Sequence, residues 1–180
     1  MTRALDWTDR ATCVLFGDGA GAAVMEAGGE NPLAVELSTS PDVETLRVPG
    51  LAGSSPYRTV QDRESVLSMN GRRVFKFGVN AICDTVHKLA SDAGISVEDI
   101  DHFVFHQANE RILSQAVKRL GVPDERVVRT LRETGNISSA CIPLALDRLE
   151  NTGALHASDT IALVGFGAGL DVGGYLLRWK

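Results

Sequence analysis

The residues able to do chemistry in this chain fall in two short stretches and one glycine turn. The first is FVFHQANERIL, residues 103–113, where His106 ends an apolar, β-prone run and a helix-like pattern opens three positions later. Burying a titratable, hydrogen-bonding ring is costly unless it has partners or a task. In α/β proteins, side chains at the end of a strand commonly face ligands. His106 is therefore a candidate for an aimed donor, with a hydrogen-bonded structural histidine as the plainer alternative. The second stretch, ETGNISSACIPLAL, puts Asn136 at a turn-to-helix junction, and GFGAGL offers backbone N–H groups in a strand-joining turn.

Other chemistries are disfavoured by spacing. His102 and His106 stand four apart, but HFVFH reads as a strand, and four strand residues carry two rings about 13 Å apart. One zinc bridges ligands at about 2 Å each, so no metal site is expected. GDGAG, residues 17–21, lacks the Lys-Ser/Thr of a phosphate loop and does not open a helix as a dinucleotide fingerprint would. Its glycines suit tight turning and close backbone packing, cofactor cradling being the lesser alternative.

The elements that must position these residues follow from periodicity. ATCVLFGDGAGAAVMEA, residues 11–27, reads as a β-hairpin, two apolar arms about a glycine turn. Residues 49–64 lose periodicity and read as a loop or linker. Phe75, Val79, Ile82, Val86 and Leu89 form a helical stripe over residues 74–90 that stops near Gly94. SVEDIDHFVFH leads into a strand. A helix from Asn109 to Leu120 follows, with Gly121 just past its end. A further helix spans roughly Ser139 to Leu149, with Pro143 tolerable in its first turn. The end of the chain, DTIALVGFGAGLDVGGYLLRW, reads as two strands about a glycine-rich turn. Alternating strands and helices imply an α/β layered fold, and the hairpins imply a mixed sheet.

The bulk numbers bound the function. A chain of 180 residues with 44% hydrophobic content buries roughly 70% of its unfolded surface. A net charge of −5 argues against a general nucleic-acid or membrane-surface binder. With no apolar run of signal-peptide or membrane-spanning length, the cytoplasm is expected. Cys13, Cys83 and Cys141 include no C-x-x-C pair, which fits reduced thiols, each a small core residue.

Taken in order, LFGDGAGAAV, MNGRRVFKFGV, HQANERIL, GNISSACIPLALD and LVGFGAGLDVGGYLLRW resemble the successive motifs of β-ketoacyl-acyl carrier protein synthase III, a thiolase-fold condensing enzyme. The resemblance spans nearly the whole chain and implies a thiolase-like layered fold. In that family a cysteine thiolate accepts an acyl group from coenzyme A. Malonyl on a carrier protein is then decarboxylated, and its carbanion attacks the acyl-enzyme at the start of fatty acid synthesis.

Residue by residue, His106 matches the family histidine and Asn136 the family asparagine, neutral donors to the oxyanion left by decarboxylation. The place of Ala168 matches a backbone N–H of a second oxyanion site. Phe75, Ala108 and Asn109 fall where the pantetheine or acyl arm is contacted, and Arg111 where the acidic carrier protein docks. Ordinary packing, or a solvated basic face for Arg111 and Lys118, is the alternative for each of these last four. The implied partners are acyl carrier protein and acyl coenzyme A, the latter as substrate and not cofactor, in a family of homodimers.

None of the three cysteines matches the family's nucleophile, which lies upstream of the GDGAGA motif. The resemblance thus implies residues 1–48 as the terminal hairpin region of an N-terminal half, 49–68 as a linker and 69–180 as the C-terminal half. The expected consequence is a half lacking its nucleophile. The alternatives are a half-subunit paired with a separate cysteine-bearing chain, or a non-catalytic interaction module.

Overall fold

A computed structural model describes residues 1–25, 29, 32–47 and 66–180. The expected linker at 49–64 and the end of the expected opening hairpin lie outside the described residues. The elements are α1 (Arg10–Cys13), β1 (Ala34–Thr39), β2 (Leu46–Arg47), β3 (Ser68–Met69), α2 (Gly71–Ala93), β4 (His102–Phe105), α3 (Glu110–Leu120), α4 (Leu131–Thr134), α5 (Cys141–Asn151), β5 (Thr160–Gly167) and β6 (Asp171–Arg178).

The main sheet has the order β1-β6-β5-β4. β4 and β5 run parallel, whereas β6 is antiparallel to both β5 and β1. The parallel pair needs a long crossover, and the chain between β4 and β5 supplies it through α3, α4 and α5. Helices pack on both faces. Val79, Ile82, Val86 and Leu89 of α2 pack with Ile112, Leu113 and Ala116 of α3 against Ala162, Val164 and Leu176. On the other face Ala145 and Leu149 of α5 pack on Val104 and Ile161. The alternation of β4 explains HFVF: Phe103 and Phe105 join the α2/α3 side and Val104 the α5 side, all fully buried.

The expected helices form where their caps are. The Asn70 side chain accepts from the Arg73 N–H at the start of α2, and Gly94 ends it at φ 68. Asn109 caps α3 by accepting from the Ile112 N–H, and Gly121 closes it at φ 71. α5 starts two residues later than the periodicity suggests, because Ser138–Ala140 form a 3-10 turn; Pro143 then sits in its first turn.

The opening hairpin is a correction. Residues 11–13, expected in a strand arm, lie in α1, whose first turn is capped by the Asp9 carboxylate accepting from the Ala11 N–H. Among the described residues Phe16 makes only an isolated bridge, with Asn136, and residues 17–25 are in no strand. The glycines instead allow the chain to lie flat on the Asn136 turn. A Cβ at Gly17 would sit 2.1 Å from the Thr134 carbonyl oxygen, one at Gly19 2.8 Å from Ile137, and one at Gly21 2.8 Å from Pro143. Close packing is thus the use these glycines have here.

Candidate active site

β4 delivers His106 to the edge of a cavity of about 1110 Å³ between α2, the β4–α3 junction, the turn before α5 and the end of β5. His106, Asn136 and Ala168 all stand on its wall, and so do Phe75, Ala108, Asn109 and Arg111. The structure therefore gathers every site residue expected from the sequence around one space. His102 does not join them; its Nε2 lies 3.1 Å from the Asp159 carboxylate.

Backbone hydrogen bonds hold the histidine. The His106 N–H donates to the Val164 carbonyl at 2.8 Å, and its carbonyl accepts from the Ala108 N–H at 2.9 Å. The ring meets Phe166 edge to face, with centroids 5.0 Å apart. Its Nδ1 lies 3.0 Å from the Cys141 sulfur. His106 lines the cavity but protein encloses most of it, and this desolvation lowers its pKa from 6.5 to about 4. The imidazole is neutral at physiological pH.

Asn136 is held from two sides. Its backbone N–H donates to the Leu15 carbonyl at 2.9 Å, and its carbonyl accepts from the Gly17 N–H at 3.0 Å. The side-chain oxygen accepts from the Ser138 N–H at 2.9 Å. Its NH₂ group makes no hydrogen bond among the described residues, so it is free to serve a ligand in the cavity it lines. Ser138 has a left-handed φ of 57, a conformation costly for a residue with a Cβ; the bond to Asn136 is made from that conformation.

The remaining wall is chemically mixed. The Arg111 guanidinium stands over the Phe75 ring, 5.8 Å from its centroid, a cation–π distance. Asn109 spends its side-chain oxygen on the α3 cap, so only its NH₂ group could meet a ligand. Ala168 occupies the β5–β6 turn. Arg72, Arg73 and Lys76 on α2 and Lys118 on α3 are exposed, as is Arg111.

Sequence reasoning missed Cys141, Gln107 and the Leu15–Gly17 strap. Cys141, expected as a small core residue, is fully buried, yet it contacts His106 and lines the cavity. Burial pushes its thiol pKa up, against lowering by the N–H groups of Gln107, Cys141 and Ile142. Its place at the start of the helix after Asn136 was the available signal. Gln107 is fully buried; its NH₂ donates to the carbonyls of Phe105 (2.9 Å) and Val128 (3.1 Å), and its oxygen accepts from the Thr130 N–H (3.1 Å). It locks the strand end carrying His106.

A mixed sheet with helices on both faces and a His–Asn cavity at its edge place this chain in the thiolase-like α/β class. The model of the 3-oxoacyl-[acyl-carrier-protein (ACP)] synthase III C-terminal region matches residues 90–179, and that of 3-oxoacyl-[acyl-carrier-protein (ACP)] synthase III matches residues 1–41. The chain belongs to the 3-oxoacyl-[acyl-carrier-protein] synthase III family. The β-ketoacyl-[acyl-carrier-protein] synthase III of Clostridium acetobutylicum is 42% identical over 182 residues, which cover 99% of this chain and 56% of that protein. The crystal structure of the 3-oxoacyl-(acyl carrier protein) synthase III of Pseudomonas aeruginosa PAO1 superimposes with a TM-score of 0.83 at 35% identity, over 99% of this chain and 55% of that one. The priming β-ketosynthase of the R1128 polyketide pathway gives a TM-score of 0.80 at 33% identity, over 100% of this chain and 55% of that one. The chain spans about half the length of the relatives it matches.

Proposed function

We propose that this chain carries the decarboxylation apparatus of a β-ketoacyl-acyl carrier protein synthase III, which condenses malonyl-carrier protein with an acyl coenzyme A primer at the start of fatty acid synthesis. The observation that carries the reading is a neutral His106 and an Asn136 whose NH₂ group has no partner among the described residues, brought from separate elements to one cavity wall. Cleavage of the malonyl C–C bond releases carbon dioxide and leaves the electron pair as an enolate on the thioester oxygen. Nε2–H of His106 and the Asn136 NH₂ donate to that oxygen. Such donors are each worth about 3 to 4 kcal/mol in the transition state. The carbanion then attacks an acyl thioester carbonyl and expels its thiolate.

The acyl-bearing thiolate of this scheme comes from polypeptide beyond these 180 residues or from a second chain. Cys13 and Cys83 are buried and do not line the cavity, and Cys141 is fully buried with its thiol pKa raised. An incompletely covered sheet face supports the need for more protein: Leu37 of β1 is 70% exposed and Tyr175 of β6 43%. The Ala168 backbone N–H serves the acyl oxyanion, Phe75, Ala108 and Asn109 flank the pantetheine arm, and Arg111 meets the acidic carrier protein. Homodimerisation is proposed for the assembled enzyme, as in its family.

The test is carbon dioxide release from malonyl-carrier protein by the complete enzyme carrying this chain. His106→Ala and Asn136→Ala are each expected to lower it by about 10²- to 10³-fold while acylation of the nucleophile from acyl coenzyme A persists. Undiminished release in either variant overturns the assignment.

A further inference from the structure

Three groups meet behind His106, on the side away from the ring edge proposed to serve the enolate. The Gln107 backbone N–H lies 3.4 Å from the Cys141 sulfur, and that sulfur lies 3.0 Å from His106 Nδ1. Cys141 is the first residue of α5 and has no exposed surface. Its environment disfavours the thiolate, so the sulfur keeps its proton.

The hydrogen between sulfur and ring can be placed in two ways. If Nδ1 carries it, the sulfur accepts from both neighbours and its own buried proton has no acceptor among the described residues. If the thiol donates to Nδ1, every group is used once: the Gln107 N–H donates to the sulfur, the S–H donates to Nδ1, and the ring's single proton resides on Nε2. Buried donors are overwhelmingly satisfied in folded proteins, and a thiol acts as both weak donor and weak acceptor.

We infer that Cys141 is a positioning residue whose thiol donates to His106 Nδ1 and fixes the neutral ring as the Nε2–H tautomer, the form able to donate into the cavity. The value of that tautomer for catalysis rests on the decarboxylation role proposed above; the tautomer itself does not. The hydrogen bond that one ring nitrogen makes sets whether the other carries the proton, a dependence general to histidine. A serine hydroxyl at this position could make the same bond, and an alanine could not.

The experiment is a long-range ¹H–¹⁵N correlation spectrum of the histidine rings in the ¹⁵N-labelled chain at neutral pH, with His106 assigned by the signal lost in His106→Asn. The wild-type ring is expected to show the Nε2–H pattern with Nδ1 as a hydrogen-bonded acceptor. In Cys141→Ala the Nδ1 resonance is expected to shift and the Nδ1–H tautomer to become populated; Cys141→Ser is expected to restore the wild-type pattern. An Nδ1–H ring in the wild type overturns the inference without any variant, and so does a Cys141→Ala spectrum with unchanged ring nitrogens. If the thiol-dependent Nε2–H ring is found but the complete enzyme releases no carbon dioxide from malonyl-carrier protein, the positioning stands and the decarboxylation role falls.

Discussion

Gly17 and Asn136 are joined by a backbone hydrogen bond of 3.0 Å, from the Gly17 N–H to the Asn136 carbonyl, and Leu15 accepts from the Asn136 N–H at 2.9 Å. The N-terminal strap therefore positions a cavity-lining asparagine more than a hundred residues away in sequence. No side chain fits at Gly17, where a Cβ would lie 2.1 Å from the Thr134 oxygen, and backbone cannot yield as a flexible side chain can.

Gly17→Ala is therefore expected to destabilise the chain by about 1 to 3 kcal/mol, the usual cost of overpacking, and to displace the Asn136 turn. Urea unfolding checks the first effect and carbon dioxide release by the complete enzyme the second. Gly71→Ala is the control, since nothing among the described residues lies within 4 Å of its Cβ position; it is expected to be neutral or stabilising. Equal losses in both variants would remove the strap from the account.

A second expectation concerns pH. Burial lowers the His106 pKa from 6.5 to about 4, so between those values the unfolded chain binds the proton and the folded chain does not. Stability therefore rises with pH across this window. The contribution is complete above about 6.5, is lost as pH falls towards 4, and amounts to about 3 kcal/mol at most at 1.36 kcal/mol per unit. An NMR titration of the His106 ring should give a midpoint near 4. A midpoint near 6.5 would show a solvated ring, and the neutral-donor argument would lose its physical basis.

Much of this arrangement was legible in the sequence because caps and periodicity are local signals. Asn109 and Gly121 bound α3 as the residue types suggest, and the apolar stripe of α2 runs to Gly94. The ordered motifs also named seven of the residues that line the cavity. What failed was the opening hairpin. A β-prone arm becomes a strand only where a neighbour completes its ladder, and Phe16 finds just the bridge to Asn136. Its turn-forming glycines looked like a hairpin because a glycine needed for backbone approach and one needed for a turn are identical in sequence. Cys141 was missed for a related reason: a buried thiol and a ring-positioning thiol differ only in what stands 3.0 Å away.

Gln107 offers a third test. Its amide serves the carbonyls of Phe105 and Val128 and the N–H of Thr130, all at the strand end that presents His106. Gln107→Leu leaves those groups without side-chain partners, and each buried group so stranded costs about 1 to 3 kcal/mol. A loss of about 2 to 4 kcal/mol in urea unfolding is expected. Gln107→Glu retains the acceptor for Thr130 but sets a carboxylate against two carbonyl oxygens, so it should be destabilised at neutral pH and partly relieved in mild acid. A Gln107→Leu variant as stable as wild type would show that the network contributes little.

The last expectation separates chemistry from docking. Arg111 is exposed above Phe75 at the cavity edge, with Arg72 on the same wall and Arg73 and Lys76 exposed on α2. A cationic rim in an acidic chain favours encounter with an acidic partner through field and on-rate more than through a single contact. Arg111→Glu is expected to raise KM for malonyl-carrier protein by about tenfold, corresponding to about 1.4 kcal/mol, while turnover of a malonyl thioester on a small thiol stays near wild type. Arg111→Met retains aliphatic contact with Phe75 but removes the charge, and should show a smaller rise of the same kind. Raising salt towards 1 M, where the Debye length falls to about 3 Å, should narrow the difference between wild type and both variants. Equal losses with both substrates would instead mean that Arg111 supports the Phe75 wall and not the carrier protein.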